Sequence, residues 1–335
     1  MLSLFKSNNP VAVAFYIIYI VLFRVIFFFL VPNQTFVFQY KEPLSNWLFA
    51  LLKNIPLNFA IVSLLLAAVL CFVQALLVNN VVNENKMLSK KSYLAGGMFI
   101  IFSSFFKESL FLTPATVALT FLILCTSKIF TLIKKEKMYG NIFDVGFLIG
   151  TATLFYFPSV LLITFVYVGM ASVRPFVLRE WAGTFLGFIN PFFLVFTYYF
   201  WNDRTSEMFL AIPNIHPKGR LIGINLLGAD KVLIGSLVVS AIISLILLPG
   251  ALYSSLIQVR KFAYLLIVFI VLAGITFLLQ QQIHLSHFVL FSLPLGIIVS
   301  MVLMQIKRNA FAEVIHLILI LLILAMQFLP LINII

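Results

Sequence analysis

Residues 57–78 read LNFAIVSLLLAAVLCFVQALLV, twenty-two positions without a charged side chain. At 1.5 Å per residue such a helix reaches about 33 Å, enough to cross a hydrocarbon core of roughly 30 Å. Working outward, apolar runs of similar kind recur at 11–31, 93–106, 112–132, 142–157, 159–173, 183–201, 232–253, 262–279, 287–306 and 311–330. The 335-residue chain is 63% hydrophobic and only 10% charged, and its 38 Phe outnumber all its charged residues. Its mean hydropathy is +1.16. A soluble chain carries about 25% charged residues. The sequence therefore specifies an all-α polytopic integral membrane protein with about eleven transmembrane helices. A soluble enzyme, a disordered scaffold and a disulfide module are excluded. The first run is too long and unbroken for a cleaved signal peptide, whose apolar region is about 7–15 residues, and is expected to remain as an anchor.

Basic residues give the orientation, because Lys and Arg are retained on the cytoplasmic side. With the N-terminus inside, 14 of them face the cytoplasm: Lys6, Lys86, Lys90, Lys91, Lys128, Lys134, Lys135, Lys137, Arg174, Arg179, Arg260, Lys261, Lys307 and Arg308. Seven face outside: Lys41, Lys53, Lys107, Arg204, Lys218, Arg220 and Lys231. The bias holds loop by loop and predicts an N-inside, C-outside chain. The net charge of +12 thus reports topology, and its scatter over short loops excludes nucleic acid as a partner. Cys71 and Cys125 lie inside apolar runs with no paired spacing and read as packing residues.

The whole chain, 1–335, reads as one transmembrane domain, with a module over 1–231 followed by a C-terminal extension of four helices over 232–335. Two outer segments are longer than turns. PLSNWLFALLKNIP (43–56) puts Leu44, Trp47, Leu48, Leu51 and Leu52 on one face between two prolines, which predicts an interfacial helix over 43–55. Residues 202–231 are the most polar stretch of the chain. The runs at 93–106, 142–157 and 159–173 are short, the last two being joined by Pro158. Short helices of this kind either form a buried inner hairpin or leave a cavity open to the outer face.

Few residues could carry chemistry. Arg24, inside VLFRVIFFFL, is costly in lipid unless hydrated or paired, so it either snorkels or meets an anion such as a lipid phosphate. Glu42 and Glu108 are the outer acids nearest the helices, each preceded by a lysine. They read either as solvated loop ions or as a general base or metal ligand where two outer loops meet. On the inner face RPFVLREWAG gathers Arg174, Arg179, Glu180 and Trp181, a membrane-anchoring elbow or a contact for anionic headgroups or a partner subunit. His216, Lys218 and Arg220, with Arg204, make a basic outer loop able to hold a phosphate or pyrophosphate through charge-assisted hydrogen bonds. His284 and His287 have the i, i+3 spacing of metal ligands but lack a third, so no metal site is assigned. Asp144, Glu313 and His316 lie near helix starts, and Asn33-Gln34-Thr35 forms a glycosylation sequon. No P-loop, Gly-rich dinucleotide turn, HExxH or GxSxG is present, so no cofactor is indicated, although a divalent metal is not excluded.

Three stretches together resemble the GT-C superfamily of membrane glycosyltransferases, which use polyprenyl-phosphate sugars outside the membrane. They are PLSNWLFALLKNIP as the interfacial helix, ESLFLTPATVALTFLILCTSKIF (108–130), and FDVGFLIGTATLFYFPSVLLITF (143–165), similar to that family's Gly-x-x-x-Gly helix followed by a proline hairpin. The likeness is one of layout and covers about the first 230 residues. The family acid, usually Asp, stands in the first outer loop. Glu42 is the only acid in that loop here and Glu108 the only one in the second. The resemblance thus implies either a transferase using these acids, with Arg24, Arg204 or Arg220 on the phosphate, or a non-catalytic relative that binds the lipid. The Phe-rich, Lys- and Asn-rich style also resembles a multi-pass inner-membrane family of Bacteroidota, which implies the bacterial cytoplasmic membrane. Beside this reading stand a non-enzymatic membrane subunit of an envelope complex and, third, a small-solute transporter. The transporter lacks the expected repeat and mid-membrane charges.

Overall fold

The structure, a computed structural model, describes residues 2–30, 42–134, 139–172, 176–211, 228–253, 255–279, 284–306 and 309–332, and among these it is helical with no strand. In chain order the helices are α1 (Leu2–Phe5), α2 (Val11–Leu30), α3 (Pro43–Lys53), α4 (Phe59–Glu84), α5 (Leu94–Ser103), α6 (Pro114–Lys134) and α7 (Tyr139–Phe155). They continue as α8 (Ile163–Ala171), α9 (Leu178–Trp201), α10 (Thr205–Ala211), α11 (Gly228–Leu252), α12 (Ile257–Ile275), α13 (Ser292–Gln305) and α14 (Asn309–Ile332). Short 3-10 turns at Lys107–Leu110, Phe157–Leu162, Thr276–Leu279 and Leu285–Phe291 lengthen or join them. Among the described residues six helices are long and apolar enough to cross a membrane, and five further apolar segments are shorter.

Local chemistry explains the helix starts. Asn58 precedes α4 and accepts the Ala60 N–H at 3.0 Å. Thr113 and Thr116 cap α6 reciprocally around Pro114, at 3.2 and 2.9 Å. The run expected over 93–106 stops its α-helix at Ser103, and the run expected to start at His287 begins as a 3-10 turn at Leu285. The segment expected as an interfacial helix over 43–55 is helical at Pro43–Lys53, with Phe49 buried and Trp47 and Leu51 exposed. The polar stretch 202–231 contains α10 and the start of α11, where Asp230 is buried.

Pairings give the directions of the helices. Ser63 meets Leu112 while Gln74 meets Thr116, so α4 and α6 run parallel. Gly96 faces Ala75 while Ser103 meets Cys71, so α5 runs against α4. Along the α7–α9 seam, Gly146 faces Thr184 and Gly150 faces Phe188, a parallel arrangement that requires the Phe157–Ala171 segment to return between them. The seam is close because it lacks side chains. A Cβ on Gly146 would sit 2.0 Å from the Thr184 carbonyl oxygen, and one on Gly187 would sit 2.2 Å from that of Phe143.

One hydrophobic core runs from Leu2 to Ile323. At its centre all ten residues of α5 are buried and pack against α13, with Gly296 under Phe99. Of the apolar stretch containing α13, 89% is buried, against 17% in α9 and 22% in α11, which expose Phe185, Phe193, Leu194, Ile242 and Ile246. An apolar exterior on this scale fits lipid as solvent. One end of the bundle, here the upper end, collects Glu42, Ser63, Glu108, Phe155 and Ser286. The lower end collects Lys6 with Ile306, Lys128 with Asp144, and Lys261 with Ser172.

Candidate functional site

Three connections gather the upper-end polar groups. α7 ends at Phe155, three residues before Pro158, and leaves carbonyls without helical partners. The Ser45 hydroxyl donates to the Phe155 carbonyl at 2.6 Å and so pins α3 to the end of α7. Glu42, the residue before α3, makes no capping bond to its own helix, and its charge instead bears on the phenol of Tyr156.

Tyr156 in turn meets His287. Its hydroxyl lies 2.6 Å from Nδ1, while Nε2 lies 2.9 Å from the Thr276 hydroxyl and 3.1 Å from the Ala273 carbonyl oxygen. Thr276 spends its one hydroxyl proton on the Ala273 oxygen, at 2.6 Å. Neither oxygen can then donate to Nε2, so Nε2 carries the hydrogen and donates to them. In the neutral imidazole Nδ1 is left as an acceptor, and Tyr156 donates to it. His287 is fully buried and lies against the Phe277 ring, with centroids 4.0 Å apart.

Glu108 reaches the same place from the other side. Its Oε2 accepts the Ser286 N–H at 2.9 Å, in the first turn of the helical segment that carries His287. The first N–H groups of a helix have no internal partner and attract negative charge. Glu108 therefore caps that segment across 178 residues of chain and fixes the position of His287. The two acids singled out in the sequence thus converge, one on Tyr156 and the other on the neighbour of its partner His287.

The remaining candidates are placed differently. Arg24 is not on the lipid-facing side of α2: it is 5% exposed and lies against the Cys71 thiol, with Nε and Nη1 unpartnered. Cys71 is eight residues beyond Ser63, about 12 Å down α4 from the upper rim. Arg204 is well exposed at the upper end of α9 and pairs loosely with Glu207 at 3.8 Å. Such a surface pair contributes little to stability. Arg179 is exposed, while Trp181 stacks on Tyr167 with centroids 4.8 Å apart and meets Phe176 at 4.9 Å. Glu180 lies in the first turn of the same helix. Arg174, His216, Lys218 and Arg220 lie outside the described residues. His284 is exposed whereas His287 is buried with both ring nitrogens engaged, so they do not act as a pair of metal ligands. Among the described residues no group of three His, Cys, Asp or Glu is arranged to hold a metal.

Sequence reasoning missed Tyr156 altogether and read His287 only as half of a metal pair. Their signals were faint: a tyrosine two residues before an elbow proline, and a lone histidine beside an apolar run. Together the fold and site define a helical membrane protein with a buried Tyr–His pair flanked by two acids at one end. No protein-family model, no curated protein and no solved structure matches the chain.

Proposed function

We propose that the chain is an N-inside membrane protein of about eleven crossings whose upper end faces outside and handles a lipid-borne phosphate, as a polyprenyl-phosphate-sugar transferase of GT-C-like layout. The observation that carries this reading is the convergence of Glu42 and Glu108 on Tyr156 and His287. The positive-inside bias supports the sidedness. The interfacial helix α3, the Gly146/Gly150 seam and the Pro158 elbow support the layout. Glu42 is the general base. It takes the proton of the acceptor hydroxyl as that oxygen bonds the anomeric carbon, and the carbon–oxygen bond to phosphate breaks with its electron pair leaving on the phosphate. Glu108 and His287 are positioning residues. Arg204, with His216, Lys218 and Arg220, provides the cationic side for the phosphate. The bacterial cytoplasmic membrane is the compartment.

The test is transfer of labelled sugar from a polyprenyl-phosphate donor in membranes. Glu42→Gln should abolish transfer, whereas Glu108→Gln, which keeps an acceptor for the Ser286 N–H, should retain most of it. Full transfer by Glu42→Gln would remove the assignment.

A further inference from the structure

At the lower end of the bundle a cavity of about 170 Å³ opens between the turn after α4, the end of α11, the start of α12 and the end of α13. Lys86, Ser89, Ser255 and Gln305 supply its polar lining, and Met87, Met301 and Met304 form part of its apolar wall. Lys86 is left-handed, with φ 51°, in the place after a helix that commonly takes glycine, and the Met87 N–H returns to the Val82 carbonyl at 3.1 Å. Its ammonium has no ion pair or hydrogen bond among the described residues, and no acid is among the described residues that line the cavity. Exposed Lys90 and Lys91 follow in the same connection, and Arg260 lies in the first turn of α12. The carboxyl end of a helix disfavours an anion, but the carbonyls at this rim already have donors. Lys86 N–H meets the Asn83 carbonyl at 3.2 Å, the Gln305 amide donates to that of Ala251, and Arg260 donates to that of Tyr253 at 3.2 Å. The amino end of α12 lies at the same rim, where Leu256 supplies no side-chain cap.

We infer that this cavity seats the phosphodiester of one anionic phospholipid, with Lys86 paired to the phosphate and the Ser89 and Ser255 hydroxyls donating to its oxygens. Basic pockets between membrane helices take such headgroups. The rim favours a lipid over free phosphate. Leu256, which lines the cavity, is 62% exposed, and Tyr253 and Ile257 near it in the chain are exposed as well. The cavity has room for a phosphate group but not for acyl chains, which stay outside against these apolar side chains. The site lies at the opposite end of the bundle from Glu42 and Glu108 and does not depend on the transferase reading.

The test follows melting of the detergent-purified full chain titrated with dioleoyl-phosphatidylglycerol, dioleoyl-phosphatidylcholine or inorganic phosphate. The expected result is a saturable rise in Tm with phosphatidylglycerol alone, since a ligand that binds only the folded state stabilises it. Lys86→Gln should weaken the apparent affinity about tenfold, the loss expected for one charge-assisted bond. The double variant Lys90→Gln, Lys91→Gln should keep most of the response, which separates a seated headgroup from the general pull of a basic surface. If Lys86→Gln does not fold, a photoactivatable phosphatidylglycerol on the wild type decides the matter. Labelling concentrated at 86–89 and 255–259 supports the site, and labelling spread evenly over the lower end overturns it. Equal responses to the two lipids, the same rise with inorganic phosphate, or an undiminished response in Lys86→Gln would also overturn it.

Discussion

Two buried polar clusters lie in the same apolar bundle and are built on opposite terms. Around His287 both ring nitrogens are engaged, each hydrogen has a place to go, and Glu108 holds the turn from outside. At Arg24, by contrast, two guanidinium nitrogens are left over. A saturated network fixes geometry, and an unsaturated buried charge costs stability. The contrast sets a network whose bonds hold His287 in place against a deeper arginine whose charge the bundle leaves unpaired.

Substitution should separate the two clusters by sign. His287→Leu removes the acceptor of Tyr156 and the donor to Thr276 and Ala273, and is expected to cost about 3 kcal/mol in denaturant unfolding. Arg24→Met deletes an unpaired charge while keeping most of the volume. In denaturant unfolding it should be neutral or stabilising, by about 1–2 kcal/mol. A large loss there would mean that protein groups already satisfy Arg24 and would erase the contrast.

A smaller effect sharpens it. Tyr156→Phe should cost about 1 kcal/mol, since Nδ1 loses its donor while the ring packing survives. Melting of wild type and Tyr156→Phe measures that difference directly.

Much of this architecture is legible in the residues taken in order. Apolar runs, capping residues and prolines act locally, and they locate the helices, the short amphipathic helix after Pro43 and the elbow at Pro158. Glu42 and Glu108 could be picked as outer acids by position alone. Their convergence could not, because it depends on Glu108 reaching Ser286 and on Ser45 docking to Phe155, bonds that span 178 and 110 residues. Arg24 reads in the sequence as a charge close enough to an end to snorkel. Its burial is decided by which face of α2 meets α4, which a helix as uniformly apolar as VAVAFYIIYIVLFRVIFFFL does not encode.

Native mass spectrometry of the gently extracted protein tests the central claim most directly. The account predicts a retained polyprenyl-phosphate species on the wild-type chain, depleted in Arg204→Ala. A stable protein partner with no such lipid would contradict it and point to a membrane subunit of a larger complex.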